Sequence, residues 1–212
     1  MALQPTLRHS VMEYLTMERA ACERHEYLDG HVYAMAGESP AHGQICVNLI
    51  ASLHGQLRGG PCQVFTQNMK VRCESPLRRA HASQGLYAYP DLVVVCGAMQ
   101  FHDAVQDVLL NPTLLVEVLS PSTEGYDRGD KFRRYRTWLP TLTDYVLVDQ
   151  AQPAIDHFHR TPEGVWTLQT AIGLEDRLHV ATLGWTVALA DVYERAVFPE
   201  TPLEEEDDQT VR

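Results

Sequence analysis

Apolar positions along this chain follow two spacings, and the change between them outlines the fold. Ile45, Leu49, Ile50, Leu53 and Leu57 recur at steps of four, one, three and four, which puts them on one face of a helix. Ser39-Pro40 supplies its start and Gly59-Gly60 its stop. A shorter helix is predicted over "TLRHSVMEYLTMERAAC", where Val11, Tyr14 and Leu15 share a helical face. Between the two, Asp29-Gly30 separates Tyr27-Leu28 from Val32-Tyr33. Asp-Gly suits the positive φ angles of a type I′ turn, so "EYLDGHVYAMAG" predicts a hairpin.

Beyond the long helix the pattern turns to strands. "CQVFTQNMKVRC", "YAYPDLVVVCG" and "TLLVEVLS" are strand candidates, followed after Pro140 by "DYVLVDQ" and "AIDHFHR". "GVWTLQTA", "RLHVATL" and "WTVALADVY" alternate as antiparallel sheet does. Between the third and fourth candidates, "DRGDKFRRYRTWL" carries Phe132, Tyr135, Trp138 and Leu139 as a helical stripe stopped by Pro140. This order predicts an α/β fold: a mixed central sheet flanked by helices, with an N-terminal helix and hairpin as an extension.

One residue breaks the strand pattern. Glu117 stands among Leu114, Leu115, Val116, Val118 and Leu119, where a lone carboxylate either loses much solvation energy or takes a proton. Asp91 stands at the mouth of the preceding apolar strand, and neighbouring strands can bring two carboxylates to one point. Two readings fit. Glu117 pairs with a nearby Arg, or both acids share a hard divalent cation, Mg²⁺ or Mn²⁺. Lys131 flanks the apolar stripe of the next helix; it belongs either to a solvated helix face or to this site. At the site it would orient or help deprotonate a water and stabilise charge on a phosphate.

Composition narrows the classes. The chain has 212 residues, 45% of them hydrophobic, enough for one domain with a sizeable core. No apolar run is long enough to span a membrane, and the first residues lack a signal pattern, so a cytoplasmic protein is expected. Five scattered cysteines without a C-x-x-C pair are expected to be buried free thiols. The net charge of −11 opposes unspecific nucleic-acid binding, but six acids lie in "PETPLEEEDDQTVR". The expected division is therefore one domain over 1–199 and a disordered acidic tail over 200–212. His157 and His159 share a strand face, with no third metal ligand suggested by spacing. Neither a nucleophile elbow nor a phosphate-binding glycine loop occurs.

"YPDLVVV", "LLVEVLSPST" and "YDRGDKFRRY" together resemble the Uma-two endonuclease family of the PD-(D/E)XK, restriction-endonuclease-like superfamily. "ERHEYLDGHVYAMAGESPAHGQICVNL" and "DYVLVDQ" extend the resemblance to roughly residues 10–195. It implies a restriction-endonuclease-like fold and Mg²⁺- or Mn²⁺-dependent hydrolysis of DNA, with a homodimer as a common arrangement. It makes Asp91 and Glu117 metal ligands and adds Glu26 and His42 to the catalytic set. One position departs: the superfamily's lysine would fall at Leu119, and in the Uma-two pattern Lys131 takes over from the following helix. Arg128, Arg133, Arg134 and Arg136 are candidate phosphate contacts. The rival expectation is a catalytically silent nucleic-acid-binding or protein-interaction module that keeps the core. A hydrolase of small phosphate esters would share the metal site.

Overall fold

A computed structural model describes residues 8–75 and 85–198; the expected acidic tail lies outside them. Helix α1 (Val11–Ala20) begins at a capping box in which Ser10 and Glu13 satisfy each other's backbone N–H groups. Strands β1 (His25–Leu28) and β2 (His31–Ala34) form the expected hairpin, with φ of 49° at Asp29 and 97° at Gly30. Helix α2 (Pro40–Leu57) is capped by Ser39 and buries Ile45, Leu49, Leu53 and Leu57, as its spacing predicts.

Strands β3 (Cys62–Thr66), β4 (Lys70–Cys73), β5 (Leu86–Ala88), β6 (Leu92–Cys96), β7 (Val108–Leu109) and β8 (Leu114–Leu119) follow. A crossover helix then runs through α3 (Glu124–Tyr126), a π-helical turn at Asp127–Lys131, and α4 (Phe132–Trp138). Strands β9 (Asp144–Asp149), β10 (Ala154–Arg160), β11 (Trp166–Ile172), β12 (Arg177–Val180) and β13 (Trp185–Ala188) lead to a short α5 (Leu189–Val192).

Among the described residues the strands make a mixed six-stranded sheet, β11-β10-β9-β8-β6-β3, and a mixed five-stranded sheet, β2-β1-β5-β4-β7. The β12-β13 hairpin is separate. Two sequence expectations need correction here. "CQVFTQNMKVRC" and "YAYPDLVVVCG" are each two strands, and each divides between the two sheets. A turn at Gln67–Asn68 breaks the first, and Pro90, which has no N–H for a ladder, interrupts the second. The cysteines are also not all free thiols. Cys62 and Cys96 are directly opposed in the β3–β6 register and joined as a disulfide, while Cys46 and Cys73 are buried thiols and Cys22 is exposed.

The alternation of β8 and β9 sends their side chains into two cores. Leu114, Val116, Val118, Val146 and Val148 pack with α2 and with Trp185 of β13. Leu115, Leu119, Tyr145 and Leu147 face Phe132 and Tyr135 of the crossover helix and residues of β4 and β5. Because β8 and β9 are parallel, the chain between them must cross over, and the crossover helix lies on the face toward which Glu117 points.

Candidate active site

Backbone contacts bring the acids together. The antiparallel register Leu92↔Val116 carries Asp91, one residue before β6, alongside Glu117. The Val118 N–H donates to Asp91 Oδ2 at 2.7 Å, pinning that carboxylate to the backbone beside Glu117. Glu26 of β1 joins from the second sheet, where its Oε1 accepts the Tyr89 N–H at 3.1 Å. His42, on the first turn of α2, sits with Nε2 3.2 Å from Asp91 Oδ2 and Nδ1 3.2 Å from Glu38 Oε2.

Lys131 closes the group. Its Nζ is 2.8 Å from Glu117 Oε1, 3.2 Å from Asp127 Oδ1 and 3.7 Å from Glu26 Oε1. The π-helical turn ends on this lysine, and such wide turns often occur at functional sites. Tyr145 Oη holds the turn by donating to the Asp127 carbonyl at 3.1 Å. Glu117 therefore does have a buried ion-pair partner, and it is a lysine and not the arginine of the ion-pair reading. The 2.8 Å approach is a close ion pair, but the one ammonium also faces Asp127 and Glu26.

The charges do not balance within this group. Burial pushes the Glu117 carboxyl well above its ordinary range; Lys131 opposes the shift, while Asp127 and Asp91 add to it. Burial works against the charged Lys131, yet Glu117, Glu26 and Asp127 overrule it and keep the ammonium protonated. Burial likewise disfavours a charged His42, but Asp91 and Glu38 hold its pKa above the usual imidazole value. Carboxylates outnumber cations in this group, and oxygen donors are the ligand type that a hard divalent cation takes.

The five predicted catalytic residues thus form two contacting groups, Glu117–Lys131–Glu26 and His42–Asp91, adjoining at Val118, the residue after Glu117. The arginines fare differently. Arg133 is exposed beside Asp130, and Arg136 is exposed with its guanidinium 5.5 Å over the Phe132 ring. Arg128 is held by Glu124 at 2.7 Å and Asp156 at 2.5 Å. Arg134 is corrected: it is buried, pairing with Asp29 at 2.6 Å and Asp130 at 3.0 Å, and it ties the β1–β2 turn to the crossover helix. Sequence reasoning missed Asp127 and Glu38. Each had a signal, since each stands four residues before a site residue: Asp127 one turn before Lys131 in the crossover helix, and Glu38 just ahead of the cap of α2, the helix that carries His42.

A family model described as "Uma2: Putative restriction endonuclease" matches residues 11–190. The chain belongs to the Uma2 family. It is 35% identical over 194 residues to an uncharacterized protein of Synechocystis sp., slr1290, covering 92% of this chain and 96% of that protein. A second Synechocystis protein, sll1609, is 32% identical over 161 residues, covering 76% of this chain and 86% of its own length. A crystal structure described as a putative nuclease belonging to DUF820, from Anabaena variabilis, superposes with a TM-score of 0.67 at 12% identity. It covers 87% of this chain and 97% of its own, so the Uma2 chain shares that fold. Among the described residues no helix is long and apolar enough to cross a membrane.

Proposed function

We propose that this Uma2 chain is a Mg²⁺- or Mn²⁺-dependent endonuclease that hydrolyses phosphodiester bonds in DNA. The observation that carries the reading is the reach of Lys131 to Glu117 while Asp91 is anchored to Val118 N–H beside it. This supports two acids and a lysine acting at one point although the lysine is displaced along the chain. Asp91 and Glu117 would hold the cation, with Glu26 and Asp127 adding negative charge around it. When bound, the ion supplies an activated water and neutralises charge on the scissile phosphate.

The chain's own residues do the remaining work. Lys131 stays an ammonium, so its role is to donate toward the phosphate or the attacking water as negative charge develops. His42 shares Asp91 Oδ2 with the Val118 N–H and brings a proton within reach of the site. Arg133 and Arg136, exposed on the crossover helix, contact backbone phosphates and position the duplex without reading its sequence.

The test is a cleavage panel on purified protein: duplex DNA, single strands, RNA and a small phosphodiester, each with Mg²⁺, with Mn²⁺ or with chelator. Metal-dependent cleavage of DNA is expected, falling at least about 100-fold in Asp91→Ala and in Glu117→Ala. Cleavage unchanged in the double variant sinks the proposal. Preference for the small diester would move the assignment to a phosphoesterase.

A silent binding module is the second reading. It draws on the ion pair itself, since Lys131 already occupies Glu117. Calorimetry separates the two: the nuclease binds Mn²⁺ in an Asp91- and Glu117-dependent way, and the silent module does not.

A further inference from the structure

The opposite face of the same sheet carries a second polar cluster. Asp144 opens β9 and is fully buried, and the β9–β10 register sets His159 directly across from it, with His157 across from Val146. His157 Nε2 lies 2.7 Å from Asp144 Oδ1, and His159 Nδ1 lies 3.0 Å from the same oxygen. The strand face that carries His157 and His159 thus acquires the third ligand that spacing along the chain could not supply. Glu117 pairs in register with Leu147, whereas Asp144 shares the Val146 and Val148 face, so this cluster is distinct from the candidate active site.

The geometry points to a binding site for a divalent transition cation of the zinc type, held by His157, His159 and Asp144. Two imidazole nitrogens and a carboxylate oxygen are the ligand types of a three-residue zinc centre, whereas Mg²⁺ takes oxygen ligands. Bonds of about 2.0–2.1 Å in a tetrahedron place ligand atoms about 3.3 Å apart. The observed separations of 2.7 and 3.0 Å need to open by about 0.3–0.6 Å, and all three ligand atoms already lie within 4.8 Å of one another.

Two further observations favour a ligand over a purely structural trio. The second carboxylate oxygen is held in the manner of an outer shell. Thr143 Oγ1 donates to Asp144 Oδ2 at 2.7 Å, and Thr182 Oγ1, from the β12–β13 turn, donates to the same atom. A fourth position has somewhere to open. Thr143, His159 and Thr182 line an open cleft of about 460 Å³, together with Pro140, Arg160 and Thr161. That position would take a water or a small anion beside the Arg160 guanidinium.

This inference is independent of the nuclease reading. Its test uses full-length protein stripped with chelator and titrated calorimetrically with Zn²⁺, in wild type, His159→Ala, Thr182→Val and His42→Ala. His42→Ala is the control because Glu38, His42 and Cys46 are a second trio of donor side chains that a soft metal could choose. A site that depends on His159 is expected in wild type and in His42→Ala, separate from any Zn²⁺ bound at Asp91 and Glu117, which the Asp91→Ala, Glu117→Ala double variant removes. The His159-dependent site should weaken by at least about 100-fold in His159→Ala and by about 10- to 100-fold in Thr182→Val. His159 is partly exposed and Thr182 sits on a surface turn, so both variants should fold, as circular dichroism would verify. Loading with Co²⁺ gives a second readout: the visible absorption of tetrahedral cobalt, present in wild type and lost in His159→Ala. Zn²⁺ affinity unchanged in His159→Ala, or lost instead in His42→Ala, overturns the assignment.

Discussion

Glu117 and Asp144 are two buried carboxylates on adjacent parallel strands, and their surroundings differ in kind. Glu117 meets one ammonium and further carboxylates, Asp127 and Asp91 among them. Asp144 meets two imidazoles and two hydroxyls. Burial raises the proton affinity of both. At Glu117 burial wins, because Lys131 alone opposes it while neighbouring acids reinforce it. At Asp144 the donated hydrogen bonds win and its pKa falls below the ordinary carboxylate value. The same residue class in the same structural setting is therefore proton-hungry on one face and a settled anion on the other. What decides the outcome is how many donors the packed elements deliver, not the strand that carries the acid.

The sharpest way to break this comparison is to remove the central cation of the first cluster. Lys131→Met leaves Glu117 and Asp127 buried without their ammonium, and breaking such a pair costs about 3–5 kcal/mol. For a chain of this size that lowers Tm by on the order of 10 °C. Replacing both partners, Lys131→Met with Glu117→Leu, should restore most of the loss in thermal denaturation. A single variant as stable as wild type would show that water already solvates these groups.

Asp144→Ala should cost less, about 1–3 kcal/mol in urea titrations of metal-free protein, because it orphans hydrogen-bond donors and not a fully buried ammonium. If it equals the Lys131 variant, the imidazoles carry charge in the folded protein and the contrast between the clusters narrows.

The smallest effect tests the arginine that joins the hairpin to the crossover helix. Burial pushes the Asp29 carboxyl up, but Arg134 and the Gly85 N–H outweigh it and hold the pKa below 3.8. A lowered folded-state pKa gives stability that is present above the unfolded value and lost as pH falls through the folded one. Asp29→Asn should therefore cost on the order of 1 kcal/mol near neutrality. The difference from wild type should shrink in acid, as pH falls through the lowered folded-state pKa, as stability measured against pH would show. A difference that persists there would assign the loss to packing.

Much of the fold was legible in single residues and short periods. The steps from Ile45 to Leu57 define α2, Ser39 caps it, and Asp29-Gly30 turns the hairpin. The candidate site was also visible, through the misfit of Glu117 in an apolar strand and the "YPD" before β6. The disulfide was not, since Cys62 and Cys96 look unrelated until β3 and β6 pair. Nor was the burial of Arg134, because the acid that claims it lies in a distant turn.

Local physics explains the first group. Helical period, capping and the φ preference of Asp-Gly act within a few residues, so the sequence by itself determined those elements and marked Glu117 as a residue needing a partner. Which partner it finds is a matter of register and packing between segments far apart in the chain. The β8–β9 crossover lays Lys131 against Glu117, and the β9–β10 pairing delivers His157 and His159 to Asp144. Tertiary structure alone decided those meetings, because a side chain's reach across a sheet depends on strand order, which no short stretch of sequence records.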